Sequence, residues 1–508
     1  MRRLNPWLHI LIGCLLAITL FSCTEKVKTE EERQKEQLER TRTGVSYFGA
    51  NCMSLYYLWT EEISPELSSW LSRDQTTDPI KKVQAIRYKQ GGKDYDRWTE
   101  MTDDFEAFSS SVEGISTTYG CDITLMQVGA SSVQAVITVV YAGSPAAQAG
   151  LKRGDIIARI DDKEMTTLNY YKLVTDQFLY SPECRLGLLD PDTGKPDREV
   201  TMTAVTMYED PVVYHSVFQI GGKKVGYLVY TAFTLRSIDA LLAVCEEFKS
   251  AGISELILDL RYNSGGYVTT EEALASMLAP KEAVRSGALF EQEIYNGALT
   301  QFFIKEYGSD ALKTFFKTDF SWEDGVIPSS CNTRSGHLDL DKIYAIIDSG
   351  TASASESILV GLMPYMDITL IGGQSHGKFC TGIMYGAEEW YNDYKDDLGS
   401  DLFAYRKEVK NWGLYVMIGR YADRNGNCPA MPDGLKPDYA AEDRPDLGYD
   451  FGDERDPMLQ QALILAGRTD LIAAVATRSA SPGPDKMPLQ VRRPEFGKRI
   501  QKRPAAVR

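Results

Sequence analysis

Residues 343–378 read IYAIIDSGTASASESILVGLMPYMDITLIGGQSHGK. Ile343 to Asp348 is an apolar run of strand length, Ala354 to Met363 reads as a helix closed by Pro364, and Asp367 to Gly372 is a second strand-like run. Strand, helix and strand in this order specify a parallel βαβ unit. The link from strand to helix, Ser349 to Glu356, is built of small residues. A serine placed there exposes its hydroxyl at the positive end of a helix dipole. The same pattern stands upstream. Lys224 to Tyr230 is a strand; Ile238, Leu241, Leu242, Cys245 and Phe248 keep helical spacing up to Gly252; Glu255 to Leu260 is the next strand. It runs into Asp259-Leu260-Arg261-Tyr262-Asn263-Ser264-Gly265-Gly266, whose paired glycines let backbone N–H groups approach a ligand closely. Both loops follow the C-terminal ends of strands, where α/β sheets build their sites. The expectation is an α/β core over residues 207–470.

N-terminal to this core the texture changes twice. Residues 44–116 are rich in aromatics at helical spacing (Tyr47, Phe48, Tyr56, Tyr57, Trp59, Trp70, Trp98) and predict a small helical domain. Residues 117–206 are β-like, with Val133 to Tyr141 rich in β-branched residues. Within them, SPAAQAGLKRGDIIARID (144–161) resembles the heart of a bacterial PDZ domain, and Tyr119-Gly120-Cys121-Asp122-Ile123 resembles its carboxylate-binding loop and following strand. Peptide capture of that kind needs free backbone N–H groups around a glycine and an exposed strand edge. Tyr119, Gly120, Cys121 and Ile123 are the candidate peptide-binding residues.

The ends carry different signals. Arg2 and Arg3 precede an apolar run from Leu8 to Phe21, too short to span a bilayer comfortably and suited to a signal peptide, residues 1–22. Ser22-Cys23 at its end resembles a bacterial lipoprotein cleavage site, with Cys23 as lipid anchor. Residues 23–43 are almost wholly polar and read as a tether that buries no core. Residues 471–508 are basic and proline-rich, and read as a flexible solvated tail. The whole chain of 508 residues carries a formal charge of −16, which argues against a nucleic-acid partner. Of nine cysteines, seven lie beyond Cys14 and Cys23; Cys245 reads as a buried thiol, Cys331 and Cys428 as the better candidates for a bridge. Four histidines and no CxxC pair give no reason to expect a metal or other cofactor. Asp423 to Asn427 is a polar turn rather than a calcium loop, and the acidic stretches Asp393 to Asp401 and Glu442 to Asp456 read as solvated loops.

Five blocks in order, the PDZ core, DLRYNSGG (259–266), IDSGTASASE (347–356), GQSHGK (373–378) and GLKPD (434–438), resemble the C-terminal processing peptidases, or tail-specific proteases. The resemblance implies a crotonase/Clp-protease-like α/β peptidase core with a PDZ-like β domain. It carries the nucleophile onto Ser353 and the base onto Lys378, twenty-five positions on. It also maps Glu356 to an acidic motif position and the oxyanion donors to the backbone N–H groups of Gly266 and Ala354. The chemistry is consistent: serine needs a neighbouring base, lysine serves only when neutral, which burial favours, and a developing oxyanion needs preorganised donors. His376 occupies the aromatic slot of the motif and is the rival base; Ser349 and Ser355 are rival nucleophiles. One departure stands out: where the family often carries a glutamine four residues after the lysine, this chain has Gly382.

The expected function is a serine endopeptidase that recognises protein or peptide substrates by their free C-termini. Its expected location is the bacterial cell envelope, bound to the membrane through lipid and facing the periplasm or the surface. The alternatives are a catalytically silent PDZ-containing peptide-binding lipoprotein and a structural surface lipoprotein. Mass spectrometry of the mature N-terminus is expected to find a lipid-modified Cys23; an unmodified start elsewhere would remove the anchor.

Overall fold

The computed structural model describes residues 28–72, 77–191, 193–324, 327–429, 431–472, 486–487 and 498–501. The signal segment and Cys23 lie outside them. Helix α1 (Glu30–Tyr56) opens the described chain with a capping box. Thr29 Oγ1 accepts from the Glu32 N–H at 3.2 Å, and the Glu32 carboxylate accepts from the Thr29 N–H at 2.8 Å. Its first eleven residues are exposed, while Val45, Phe48, Cys52, Met53 and Tyr56 are buried. The stretch expected as a tether is thus, from Glu30 onward, the outer half of a helix. Arg40 pairs there with Glu408 at 2.8 Å.

Short helices Ser64–Ser72, Pro79–Ile86 and Phe105–Val112 follow, as the aromatic spacing predicted. They do not enclose a core of their own. Phe48 packs edge-on against Trp390 with centroids 5.9 Å apart, and Tyr56 against Tyr385 at 6.0 Å. The strand Glu100–Thr102 also pairs with a strand of the α/β core at residues 413–415. The apolar residues of this small helical region join one cluster with those of that core.

The next module is a sheet of β1 (Cys121–Val128), β2 (Ser132–Val140), β3 (Ile156–Ile160), β4 (Glu183–Leu189) and β5 (Pro196–Thr203), in the order β5-β4-β3-β2-β1. Ser144 caps the short helix Pro145–Gln148 by accepting from the Ala147 N–H at 3.1 Å. At Gly154 φ is +90°, and a Cβ there would lie 2.5 Å from Gly448 Cα, so the turn after this helix needs a glycine where it meets the core. Antiparallel strands Ile115–Thr118 and Val205–Tyr208 bring the chain in and out of the module.

The core contains β6 (Val212–Ile220), β7 (Lys223–Tyr230), α2 (Ser237–Ala251), β8 (Glu255–Asp259), β9 (Gly266–Tyr267), α3 (Val268–Leu278), β10 (Leu289–Tyr295), β11 (Lys342–Ile347), α4 (Ala354–Leu362), β12 (Asp367–Gly372), β13 (Cys380–Gly386), β14 (Gly413–Asp423) and β15 (Tyr439–Ala440). One sheet has the order β6-β7-β8-β11-β12-β15, with β7, β8, β11 and β12 mutually parallel. These are the two βαβ units read from the apolar runs. A second sheet contains β13, β14 and β10, antiparallel neighbours. Two further short strands follow, β16 (Lys486–Met487) and β17 (Arg499–Ile500). β16 pairs with the free edge of β1, and β17 lies between β9 and β13. These parts of the expected solvated tail are docked in sheets, because open strand edges supply the backbone partners that a polar segment otherwise finds in water.

Two other expectations change. Cys331 and Cys428 are free thiols, as are the other five described cysteines; Cys331 lies on a hairpin pairing Asp319–Asp324 with Ile327–Asn332, and Cys428 follows β14. The acidic stretch from Glu442 to Asp456 is not all solvated. Asp443 and Asp456 are buried and receive the guanidinium of Arg261 at 3.1 and 3.0 Å. Arg261 also binds Asp259 at 2.7 Å, and Arg153, from the PDZ-like turn, reaches Asp443 at 3.0 Å. Burial opposes the Arg261 charge, but Asp259, Asp456 and Asp443 together outweigh it and hold the guanidinium protonated. Arg261→Met would leave buried carboxylates with one cation fewer. It is expected to cost about 3–5 kcal/mol in urea unfolding; an unchanged midpoint would show that the cluster carries no net stability.

Candidate active site

Ser353 sits between β11 and α4 with φ +65° and ψ −115°, a conformation that a residue with a Cβ adopts only when its surroundings enforce it. The surroundings are specific. The Asn263 carbonyl accepts from the Ala352 N–H and the Ser355 hydroxyl, both at 3.0 Å, and Thr351 Oγ1 donates to the Leu260 carbonyl at 2.8 Å. The Tyr421 hydroxyl donates to the Ser353 carbonyl at 3.1 Å. The two loops singled out in the sequence are thus stitched together. Ser355, a rival nucleophile, spends its hydroxyl on that stitching.

Lys378 is fully buried, and its Nζ lies 3.1 Å from Ser353 Oγ. Two further partners fix the amine: the Cys380 carbonyl at 3.0 Å and the Tyr415 hydroxyl at 3.1 Å. The Tyr415 ring lies over Gly382. A Cβ on Gly382 would lie 2.6 Å from the Tyr415 ring and from Met417 Cε, so the tyrosine and a glutamine at 382 compete for one space. His376 does not share this position: its N–H donates to the Thr351 carbonyl at 2.9 Å, and its ring rests edge-on against Trp98 at 6.1 Å.

Glu356, also buried, touches backbone rather than the amine. Its carboxylate accepts from the N–H groups of Ser353, Gly377 and Lys378 at 2.9, 2.7 and 2.9 Å, and from the Ser375 hydroxyl at 2.5 Å. Burial pushes this carboxyl above its ordinary value, against the hydrogen bonds that favour its charged form. The GLKPD block closes the loop from below: the Leu435 N–H donates to Ser375 Oγ at 2.7 Å, and a Cβ on Gly434 would strike the Ser375 carbonyl oxygen at 2.0 Å.

Ala354 opens α4, and Gly266 belongs to the loop facing it. The approach there is close. A Cβ on Gly265 would lie 2.8 Å from Ser353 Cβ, and one on Gly266, whose φ is +142°, would lie 2.3 Å from the Phe233 carbonyl oxygen. Only glycines fit both positions. Asn263 holds the turn by accepting from the Gly265 N–H at 3.0 Å.

The PDZ-like loop differs from expectation in one respect. The Gly120 N–H is not free, since it donates to Thr118 Oγ1 at 2.9 Å. Tyr119 and Cys121 are buried and line a cavity of about 460 Å³ with Phe178, Leu179, Ala107 and Ser111; Ile123 lies half-buried further along β1. Sequence reading missed Tyr415, Tyr421 and Asn263. Asn263 stood in a quoted motif, but the two tyrosines sit in the apolar run of β14, where nothing separates them from core residues.

Fold and site together define an α/β domain of serine-hydrolase type joined to a PDZ-like β module. Residues 224–441 match the model of peptidase family S41, and residues 136–173 match that of the PDZ domain. Residues 224–441 are thus similar to peptidase family S41 and residues 136–173 to the PDZ domain. It is 27% identical over 319 residues to carboxyl-terminal-processing peptidase 2, chloroplastic, of Arabidopsis thaliana, covering 60% of this chain and 53% of that one. It is 24% identical over 247 residues to a carboxyl-terminal-processing protease of Synechocystis, covering 48% and 49%. The chain spans about half the length of the curated relatives it matches. A crystal structure of a Bacteroides fragilis chain assigned to the S41 proteases superposes with a TM-score of 0.58 at 23% identity, covering 82% of this chain and 97% of that one. That likeness is one of fold.

If Tyr415 and a glutamine at 382 compete, Gly382→Gln is expected to cost about 1–3 kcal/mol by overpacking. The cost should shrink when Tyr415→Ala is made alongside. Urea titrations of the two single variants and the double variant measure this; equal costs in both backgrounds would show that the positions are independent.

Proposed function

We propose that this protein is a serine endopeptidase of the tail-specific type, with Ser353 as nucleophile and Lys378 as general base. The observation that carries the reading is the 3.1 Å contact between Lys378 Nζ and Ser353 Oγ, in a buried position at the start of a helix. In this scheme the neutral Lys378 amine takes the Ser353 proton as Oγ attacks a substrate carbonyl. The Gly266 and Ala354 N–H groups receive the oxyanion. Lys378 then returns the proton to the leaving amine, and water resolves the acyl-enzyme by the same steps reversed. Tyr415 and the Cys380 carbonyl orient the amine, and Glu356 positions the loops without joining the proton transfer. The PDZ module contributes Tyr119, Gly120, Cys121 and Ile123 to capture of a substrate's C-terminal tail. With Cys23 lipidated, the enzyme would act at the cell envelope; among the described residues no helix is long and apolar enough to cross a membrane.

Assays on an unfolded protein test the scheme. Ser353→Ala and Lys378→Ala should each lower kcat by several orders of magnitude, as for members of a unit that works together. His376→Ala should retain most activity, and the wild-type rate should rise toward alkaline pH because the amine must be unprotonated. Tyr415→Phe, which removes one of the hydrogen bonds that hold the Lys378 amine, should lower kcat about 10-fold. Tail binding should weaken sharply when the peptide carboxylate is amidated. A lethal His376→Ala with a mild Lys378→Ala would transfer the base to histidine, and a wild-type chain with no activity would leave a silent binding module.

A further inference from the structure

The strand β17 occupies the cleft in which the proposed chemistry would take place. It runs parallel to β9, with Arg499 opposite Gly266 and Ile500 opposite Tyr267, and it pairs on its other side with β13 at Gly382. The Gln501 N–H donates to the Gly382 carbonyl at 3.1 Å, and the Tyr295 hydroxyl donates to Gln501 Oε1 at 3.0 Å. One position locates the Lys498 carbonyl beside the serine: a Cβ built on Gly265 would lie 2.8 Å from both the Lys498 carbonyl oxygen and Ser353 Cβ. Lys498 is 3% exposed. Its ammonium binds the Glu100 carboxylate and lies 4.5 Å from the centre of the Tyr415 ring and 5.4 Å from that of Phe108. A buried ammonium needs such an arrangement of one carboxylate and two ring faces to offset its lost hydration. The same stretch of chain also touches the PDZ module, where β16 adds antiparallel to the outer edge of β1, Lys486 opposite Met126 and Met487 opposite Leu125. Strand addition at an open sheet edge is how such modules take peptides.

We propose that this segment is an intramolecular substrate, cleaved between Lys498 and Arg499, and that Glu100, Phe108 and Tyr415 form a pocket selecting a basic residue on the acyl side of the scissile bond. The inference rests on the peptidase reading above. Ser353 Oγ bonds to the Lys498 carbonyl carbon and its proton passes to Lys378. The bond to the Arg499 nitrogen breaks as that nitrogen takes the proton. Water then hydrolyses the ester, freeing Ser353 and leaving a carboxylate on Lys498.

The test follows the purified full chain by intact mass, beside digestion of an unfolded protein. The wild type is expected to lose the segment beginning at Arg499 at a rate independent of protein concentration, since the bond is already in place. Ser353→Ala should stay whole. Lys498→Glu, which sets two carboxylates together, should slow the cut at least about tenfold. For added peptides differing only at the acyl-side residue, Glu100→Gln should lower the lysine-to-leucine ratio of kcat/KM about tenfold or more. A wild type that digests unfolded protein yet remains whole at 498–499, cuts elsewhere, or cuts at a rate rising with concentration would overturn the proposal while leaving the peptidase reading intact. A chain that digests nothing would overturn both.

Discussion

One carboxylate, that of Glu356, holds the site in its working shape. It gathers the backbone N–H of Ser353 from one loop, those of Gly377 and Lys378 from another, and the Ser375 hydroxyl. Two chain segments with no regular structure of their own are thereby fixed at both ends of the contact between Ser353 and Lys378. The strained backbone at Ser353 needs such anchoring, because a positive φ at a residue with a Cβ relaxes if its neighbours allow it. Burying a carboxyl is unfavourable, and burial does raise its proton affinity. The four donors offset that cost, and no other acceptor of this size could satisfy them all.

A second buried cluster links the parts of the molecule. Arg153 stands in the turn of the PDZ domain and donates to the Tyr262 hydroxyl at 3.0 Å, and Tyr262 donates to Asp443 at 2.5 Å. Tyr262 precedes Asn263, whose side chain shapes the Gly265-Gly266 turn. The seat of the PDZ domain and the turn beside Ser353 therefore share hydrogen-bond partners. Arg261 ties the same cluster into the main sheet through Asp259, which also accepts from the Tyr227 hydroxyl at 2.9 Å. The paired charges make this junction specific, since a displaced partner would leave an ion buried and uncompensated.

The α/β core was legible because both βαβ units carry continuous apolar strands and a helix of clear period, and the PDZ domain because its small-residue turn is compact in sequence. The closeness of Ser353 and Lys378 was legible only through the family resemblance; periodicity alone places neither side chain. What was not legible depends on contacts across long separations. Phe48 and Tyr56 look like the core of a self-contained unit until their partners Tyr385 and Trp390 are known. Asp443 and Asp456 look solvated until Arg261 is placed beside them. Tyr415 lies in an apolar strand whose alternation marks it as core, and its hydroxyl gains meaning only from Lys378. The basic composition of residues 471–508 indicated solvation, because composition carries no information about which sheet edges stand open elsewhere.

Tyr415 joins these threads. Its hydroxyl contacts the Lys378 amine at 3.1 Å, and its ring fills the space a side chain at 382 would need. The face of the same ring receives the ammonium of Lys498. Under the proposed mechanism one side chain therefore serves both the base and the residue whose carbonyl is attacked. A glutamine could orient the amine, but it offers no ring face to a cation. Under that mechanism a tyrosine from the neighbouring strand, in place of a glutamine, does more than hold the amine. It would couple the orientation of Lys378 to the occupancy of the proposed pocket, since any shift of the ring toward or away from a bound cation also moves the hydroxyl that Lys378 contacts.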